Sequence, residues 1–128
     1  MIEVEVENRS GVEVDDAGAV ALARHALAQE GVTAAELGIA FVGLDEIRAL
    51  KAEHLGIDEA TDVLSFPIDG LDDLPEGVPR ALGDVVICPQ VVGDEWRWPL
   101  VHGILHLLGY EHGDLMERRE QEILERAA

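Results

Sequence analysis

His102-Gly103-Ile104-Leu105-His106-Leu107-Leu108-Gly109-Tyr110-Glu111-His112 spaces three histidines as H-x3-H-x5-H within an otherwise apolar run. On a helix each residue turns by roughly 100°, which sets His102 and His106 one turn apart on the same face. If that helix ran on, His112 would lie roughly 15 Å along the axis and about 80° around it. The three rings meet only if the chain stops and folds back. Gly109 can end the helix, because glycine accepts the left-handed conformation of a residue just past a helix end. The spacing therefore predicts two ligands on a helix, a glycine turn, and a third ligand returning from beyond it. Imidazole is the commonest protein ligand for zinc, and three protein ligands with an open fourth position mark a catalytic site. His102, His106 and His112 are read as the metal ligands and, through the metal, the catalytic set of a hydrolase. The plain alternative, histidines buried in an apolar core, fits His102 and His106 alone but not the third histidine after the glycine. His25 and His54 lack such company and are read as solvated or capping residues.

Upstream of this segment the chain alternates element types. Residues 2–7 alternate apolar and acidic positions, the pattern of a half-buried strand. Asp15 and Asp16 offer an N-cap to a helix over 17–30, with Val20, Ala23 and Leu27 on one face and Gly31 as its stop. A second strand is expected over 37–42. A second helix is expected over 44–55, with Asp45 and Glu46 in its first turn and Gly56 after it. A short strand over 63–66 ends at Pro67, and 69–80, rich in proline, glycine and acids, reads as a loop. Residues 82–88 are apolar nearly throughout, as in a strand buried on both faces. Pro99 suits the first turn of the histidine helix, and a last helix is expected over 114–126, with Met116, Ile123 and Leu124 as its apolar contacts. This order predicts a single α+β domain over residues 1–128, with a small mixed sheet of about four strands and helices packed mainly on one face.

Composition narrows the setting. Nine basic residues against 27 acidic ones give a formal net charge of −18. Such a surface repels nucleic acid at long range, since phosphate contact depends on lysine and arginine. The start of the chain shows no basic, apolar leader, and no apolar run approaches the ~20 residues that span a bilayer, so a cytoplasmic protein without a membrane partner is expected. Cys88, the single cysteine, fits a reducing compartment and is read as a small buried apolar side chain.

Three neutral imidazoles on zinc leave a coordinated water whose pKa falls to about 7, so hydrolysis of either a peptide or a phosphodiester is open. The spacing H-x3-H-x2-G-x2-H matches that of the metzincin proteases, glycine included. Those enzymes place a glutamate directly after the first histidine as general base. Here that position is Gly103, which counts against a protease.

The histidine segment closely resembles the H-G-x-L-H-L-x-G-Y-D-H signature of the YbeY family of bacterial endoribonucleases. Thr61-Asp62-Val63-Leu64-Ser65-Phe66-Pro67 is similar to that family's T-D-V-L-S-F-P segment. Leu82-Gly83-Asp84-Val85-Val86-Ile87-Cys88-Pro89 resembles its L-G-D-I-x-I-C-P strand. Three blocks in the same order cover nearly the whole chain. The resemblance implies an α+β fold and one zinc per chain on the three histidines. It further implies a single-strand-specific endoribonuclease in which metal-bound water attacks the RNA phosphodiester. The implied setting is ribosomal RNA maturation, particularly at the 3′ end of small-subunit rRNA, and ribosome quality control. The implied partners are the small ribosomal subunit, its proteins, and an Era-type GTPase. It also implies that Ser65 and Asp62 lie beside the metal and bind substrate; turn and strand-end hydrogen bonding is the plainer reading of both.

Three departures stand out. Many family members carry an arginine, associated with phosphate binding, at the position of Leu55, just before Gly56. Lys51, one helical turn earlier, is the candidate substitute, with Arg48 a turn further back; otherwise both are solvated surface cations. Glu111 replaces the signature aspartate. The segment between Cys88 and His102 is short, and in it Trp96-Arg97-Trp98 could stack on bases, although core or cap packing is the expectation. The alternatives to an endoribonuclease are a non-catalytic, zinc-containing ribosome-maturation factor and a metalloprotease-like hydrolase.

Overall fold

The computed structural model describes residues 1–127. Four strands, β1 (Ile2–Asn8), β2 (Ala35–Phe41), β3 (Val63–Pro67) and β4 (Ala81–Ile87), form one sheet in the order β1-β2-β4-β3. Strands β1, β2 and β4 are mutually parallel, and β3 runs antiparallel on the outer side of β4. The helices are α1 (Asp16–Gln29), α2 (Leu44–Leu55), the single turn α3 (Pro89–Val92), α4 (Arg97–Leu107) and α5 (Asp114–Ala127). This is the expected α+β fold with a mixed sheet. None of the described helices is long and apolar enough to cross a membrane.

The sequence pattern accounts for the layers. In β1 the acids Glu3, Glu5 and Glu7 are exposed while Ile2, Val4 and Val6 turn toward the core. Asp15 caps α1 by accepting from the Gly18 amide at 2.9 Å, and α1 buries Ala19, Leu22, Ala23, Ala26 and Leu27. That face meets α4, which buries Leu100, Val101, Ile104 and Leu105, and α5 closes over both with Met116 and Ile123. Truncating one such side chain to alanine costs about 2–5 kcal/mol. The opposite face of the sheet carries a smaller cluster in which Ile47 and Leu50 of α2 cover Leu64, Val86 and Cys88. β4 is therefore packed on both sides along most of its length, with Asp84 exposed within it, and Cys88 is fully buried.

Helix α4 begins at Arg97, and Pro99 lies in its first turn as expected. The one-turn α3, opened by Pro89, was not expected; four residues carry too little periodicity to announce it. The approach of α4 to the sheet depends on Gly103. A Cβ there would stand 2.7 Å from Val85 Cγ1 and 3.1 Å from Ser65 Oγ, and the Ser65 hydroxyl donates to the Gly103 carbonyl at 3.0 Å. A glutamate at this position would force α4 and β4 apart, so the packing here is incompatible with a protease base at residue 103.

Candidate metal centre

The end of α4 builds the site. Past Leu107 the Gly109 amide bonds to the His106 carbonyl and the Tyr110 amide reaches back to the Leu105 carbonyl, each at 3.0 Å. This pair is a Schellman motif, and it requires the left-handed glycine found at Gly109, φ +95°. The reversal brings His112 back against the two helical histidines. Ring centroids stand 4.6 Å apart for His102–His106, 5.0 Å for His102–His112 and 4.6 Å for His106–His112. One ligand nitrogen from each ring lies within 4.8 Å of the others.

The donor set fits a zinc ion. The Nε2 atoms of His102 and His106 face each other at 3.1 Å; two tetrahedral ligands at 2.0–2.1 Å from one zinc stand roughly 3.3 Å apart. Nδ1 of each helical histidine is held. His102 Nδ1 lies 2.5 Å from Glu120 Oε1, and His106 Nδ1 lies 3.0 Å from the Tyr110 carbonyl. With the proton kept on Nδ1, Nε2 is left as the ligand, the arrangement usual for metal-binding histidines. Burial first, and then the neighbouring His102, hold His106 below the ordinary histidine range, which favours the neutral ring a metal requires; the Tyr110 carbonyl acts the other way.

Glu120 was not anticipated. It is 3% exposed, and its second oxygen accepts from Trp98 Nε1 at 2.9 Å. It falls between Met116 and Ile123 on the buried stripe of α5, and a carboxylate on an apolar stripe was the available signal. Trp98 in turn stacks on His102, centroids 4.7 Å apart at 27°. Of the tryptophan pair, Trp96 packs into the core as expected, whereas Trp98 is 44% exposed and lines the site. Tyr110 is anchored separately. Its hydroxyl donates to Glu30 Oε1 at 2.5 Å, and the other oxygen of Glu30 is gripped by Arg119. That acceptor, together with burial, raises the Tyr110 phenol above its usual range.

The histidines open into a cleft of about 710 Å³ lined also by His54 and Leu55 of α2, by residues 62–67, and by Trp98. Ser65 and Asp62 line the same cleft as the three histidines. The Asp62 carboxylate accepts from the Val63 amide at 2.8 Å and from the Thr61 hydroxyl at 3.2 Å. Lys51 is not part of the lining. Its ammonium pairs with Glu59 at 2.9 Å, and Arg48 pairs with Asp58 at 2.7 Å. His54, read from sequence as solvated or capping, is exposed but faces the cleft. His25 is half-buried and ties α1 to α5 through the Ile123 carbonyl at 3.0 Å.

The model of the family described as Endoribonuclease YbeY matches residues 5–128. This chain belongs to the YbeY family. An Endoribonuclease YbeY from Beutenbergia cavernae is 43% identical over 138 residues, covering 95% of this chain and 91% of the relative. One from Salinispora tropica is 39% identical, covering 91% and 87%. A Thermotoga maritima protein solved in solution shares the fold, with a TM-score of 0.58, 24% identity, and coverage of 99% of this chain and 89% of that one. The three sequence blocks that suggested YbeY kinship meet in space: the histidine segment, the 61–67 segment and β4 are joined through Gly103, Ser65 and Val85.

Proposed function

We infer that this YbeY-family chain is a zinc-dependent endoribonuclease specific for single-stranded RNA, with one zinc per chain. The observation that carries the reading is the convergence of three imidazoles, two with anchored Nδ1 atoms, on an open cleft. Among the described residues no fourth histidine, cysteine, aspartate or glutamate joins the group, which supports a coordination position free for water or substrate. Zinc bound by three neutral imidazoles supplies a nucleophile from water at neutral pH and polarises a phosphoryl oxygen. The chain does the rest. Glu120 and the Tyr110 carbonyl fix the tautomers of His102 and His106, and Trp98 covers one face of His102. Ser65, whose hydroxyl proton is engaged by Gly103, retains an oxygen that can accept from a ribose hydroxyl. Asp62 shapes the entry to β3. Lys51 contributes to phosphate binding only by leaving Glu59.

The family resemblance supports a place in ribosomal RNA maturation at the small-subunit 3′ end and in ribosome quality control. It likewise supports a cytoplasmic setting, with the small subunit, its proteins and an Era-type GTPase as partners. The net charge of −18 and the absence of lysine and arginine from the described cleft lining support dependence on a basic ribosomal protein for delivery to RNA. Leu55 in the cleft favours the second reading, a non-catalytic maturation factor. Zinc-loaded protein incubated with a single-stranded small-subunit 3′ fragment, its duplex form and a peptide separates the readings. The proposal expects cutting of the single strand alone. Folded, zinc-replete protein that leaves every substrate intact establishes the non-catalytic factor, and peptide cleavage restores the protease.

A further inference from the structure

An RNA strand entering the cleft brings a phosphate per nucleotide, so the groups that can donate to phosphate decide where it sits. Few remain. Lys51 and Arg48 on α2 are paired with Glu59 and Asp58, which follow α2 in the chain. The Trp98 indole N–H is engaged by Glu120, and the Ser65 hydroxyl by the Gly103 carbonyl. His102, His106 and His112 face one another as the metal ligands. His54 is left, in the last turn of α2, exposed and lining the same cleft, its ring set edge-on to Phe66 at 4.8 Å and 61°. A histidine offers an N–H to an anionic oxygen in either protonation state and a positive charge when protonated. Phe66 limits the ring's freedom, so less order has to be imposed on binding.

We propose that His54 is the phosphate-binding residue of the cleft, a substrate contact supplied by α2 in place of a lysine or arginine. The inference rests on the reading of the cleft as the RNA site. The test measures binding of a fluorescent single-stranded oligoribonucleotide to zinc-loaded wild type, His54→Ala, His54→Gln and His54→Arg by anisotropy in the cold, with the RNA checked intact on a gel. Steady-state cleavage and zinc content are measured in parallel. Loss of a charge-assisted hydrogen bond predicts that His54→Ala weakens binding and raises KM by about tenfold or more, with little change in kcat. His54→Gln, which keeps a donor without charge, falls between, and His54→Arg returns to the wild-type range. One zinc per chain and an unchanged melting temperature in all four proteins exclude a structural effect. His54→Ala that binds and cleaves as wild type does overturns the inference while leaving the nuclease reading intact. Wild type that never cleaves, but whose RNA binding is lost in His54→Ala and rescued by His54→Arg, sustains the inference while the nuclease reading falls.

Discussion

Glu120 is the residue whose alteration tests the metal centre most finely. Both its oxygens accept, one from His102 Nδ1 and the other from Trp98 Nε1, and the side chain is buried. Glu120→Gln keeps the shape but replaces one acceptor with an amide donor. If the amide oxygen faces His102, the NH2 meets the indole N–H, donor against donor. If it faces Trp98, the NH2 meets His102 Nδ1, which must then accept, and the ring proton moves to Nε2, the ligand atom. Either arrangement costs about 1–3 kcal/mol for a buried unsatisfied group. Loss of such a supporting partner typically weakens metal binding 10–100-fold, or about 1.4–2.8 kcal/mol. Zinc affinity measured against a competing chelator should therefore fall by that factor. In a Trp98→Phe background the amide can turn its oxygen to His102 without a clash, so the penalty of Glu120→Gln should shrink. Folded Glu120→Gln protein that holds zinc as tightly as wild type, or a penalty unchanged in the Trp98→Phe background, refutes the reasoning.

Other outcomes follow from the same geometry. Gly103→Ala pushes a methyl into Val85 and Ser65 and should destabilise the fold by about 1–3 kcal/mol in urea titration, with partial recovery in Gly103→Ala/Val85→Ala. Tyr110→Phe removes the donor to Glu30 and should cost about 1–2 kcal/mol of stability; zinc affinity should hold, because His106 is oriented by the Tyr110 main-chain carbonyl. Removing zinc by chelation should lower the melting temperature of wild type, since a ligand bound only by the native state stabilises it, and the shift should vanish in His112→Ala.

Periodicity carried most of the fold. The alternation of residues 2–7, the capping Asp15 before α1 and the nearly continuous apolar run of β4 each have one comfortable burial pattern, and the structure adopts it. What escaped lies in interactions across distant segments. Nothing near Lys51 announces that Glu59 will neutralise it, because the pairing depends on how the chain leaves α2. His54 has no companion histidine in the sequence to mark it, and only the course of residues 62–67 turns it into a cleft wall. Glu120 meets His102 from α5, 18 residues away, a convergence that local pattern does not encode, whereas Trp98 stands one helical turn before His102 on the same face of α4. The three histidines were legible because helix spacing and one glycine turn suffice to bring them together.

The central claim, that three histidines hold the ion that cleaves RNA, is tested most directly by the initial rate of single-strand RNA cleavage as zinc is returned to metal-free protein. The account predicts a rate that rises to a plateau at one equivalent of zinc and is lost in His106→Ala at every zinc level. Cleavage that proceeds without metal, or that survives His106→Ala, contradicts it.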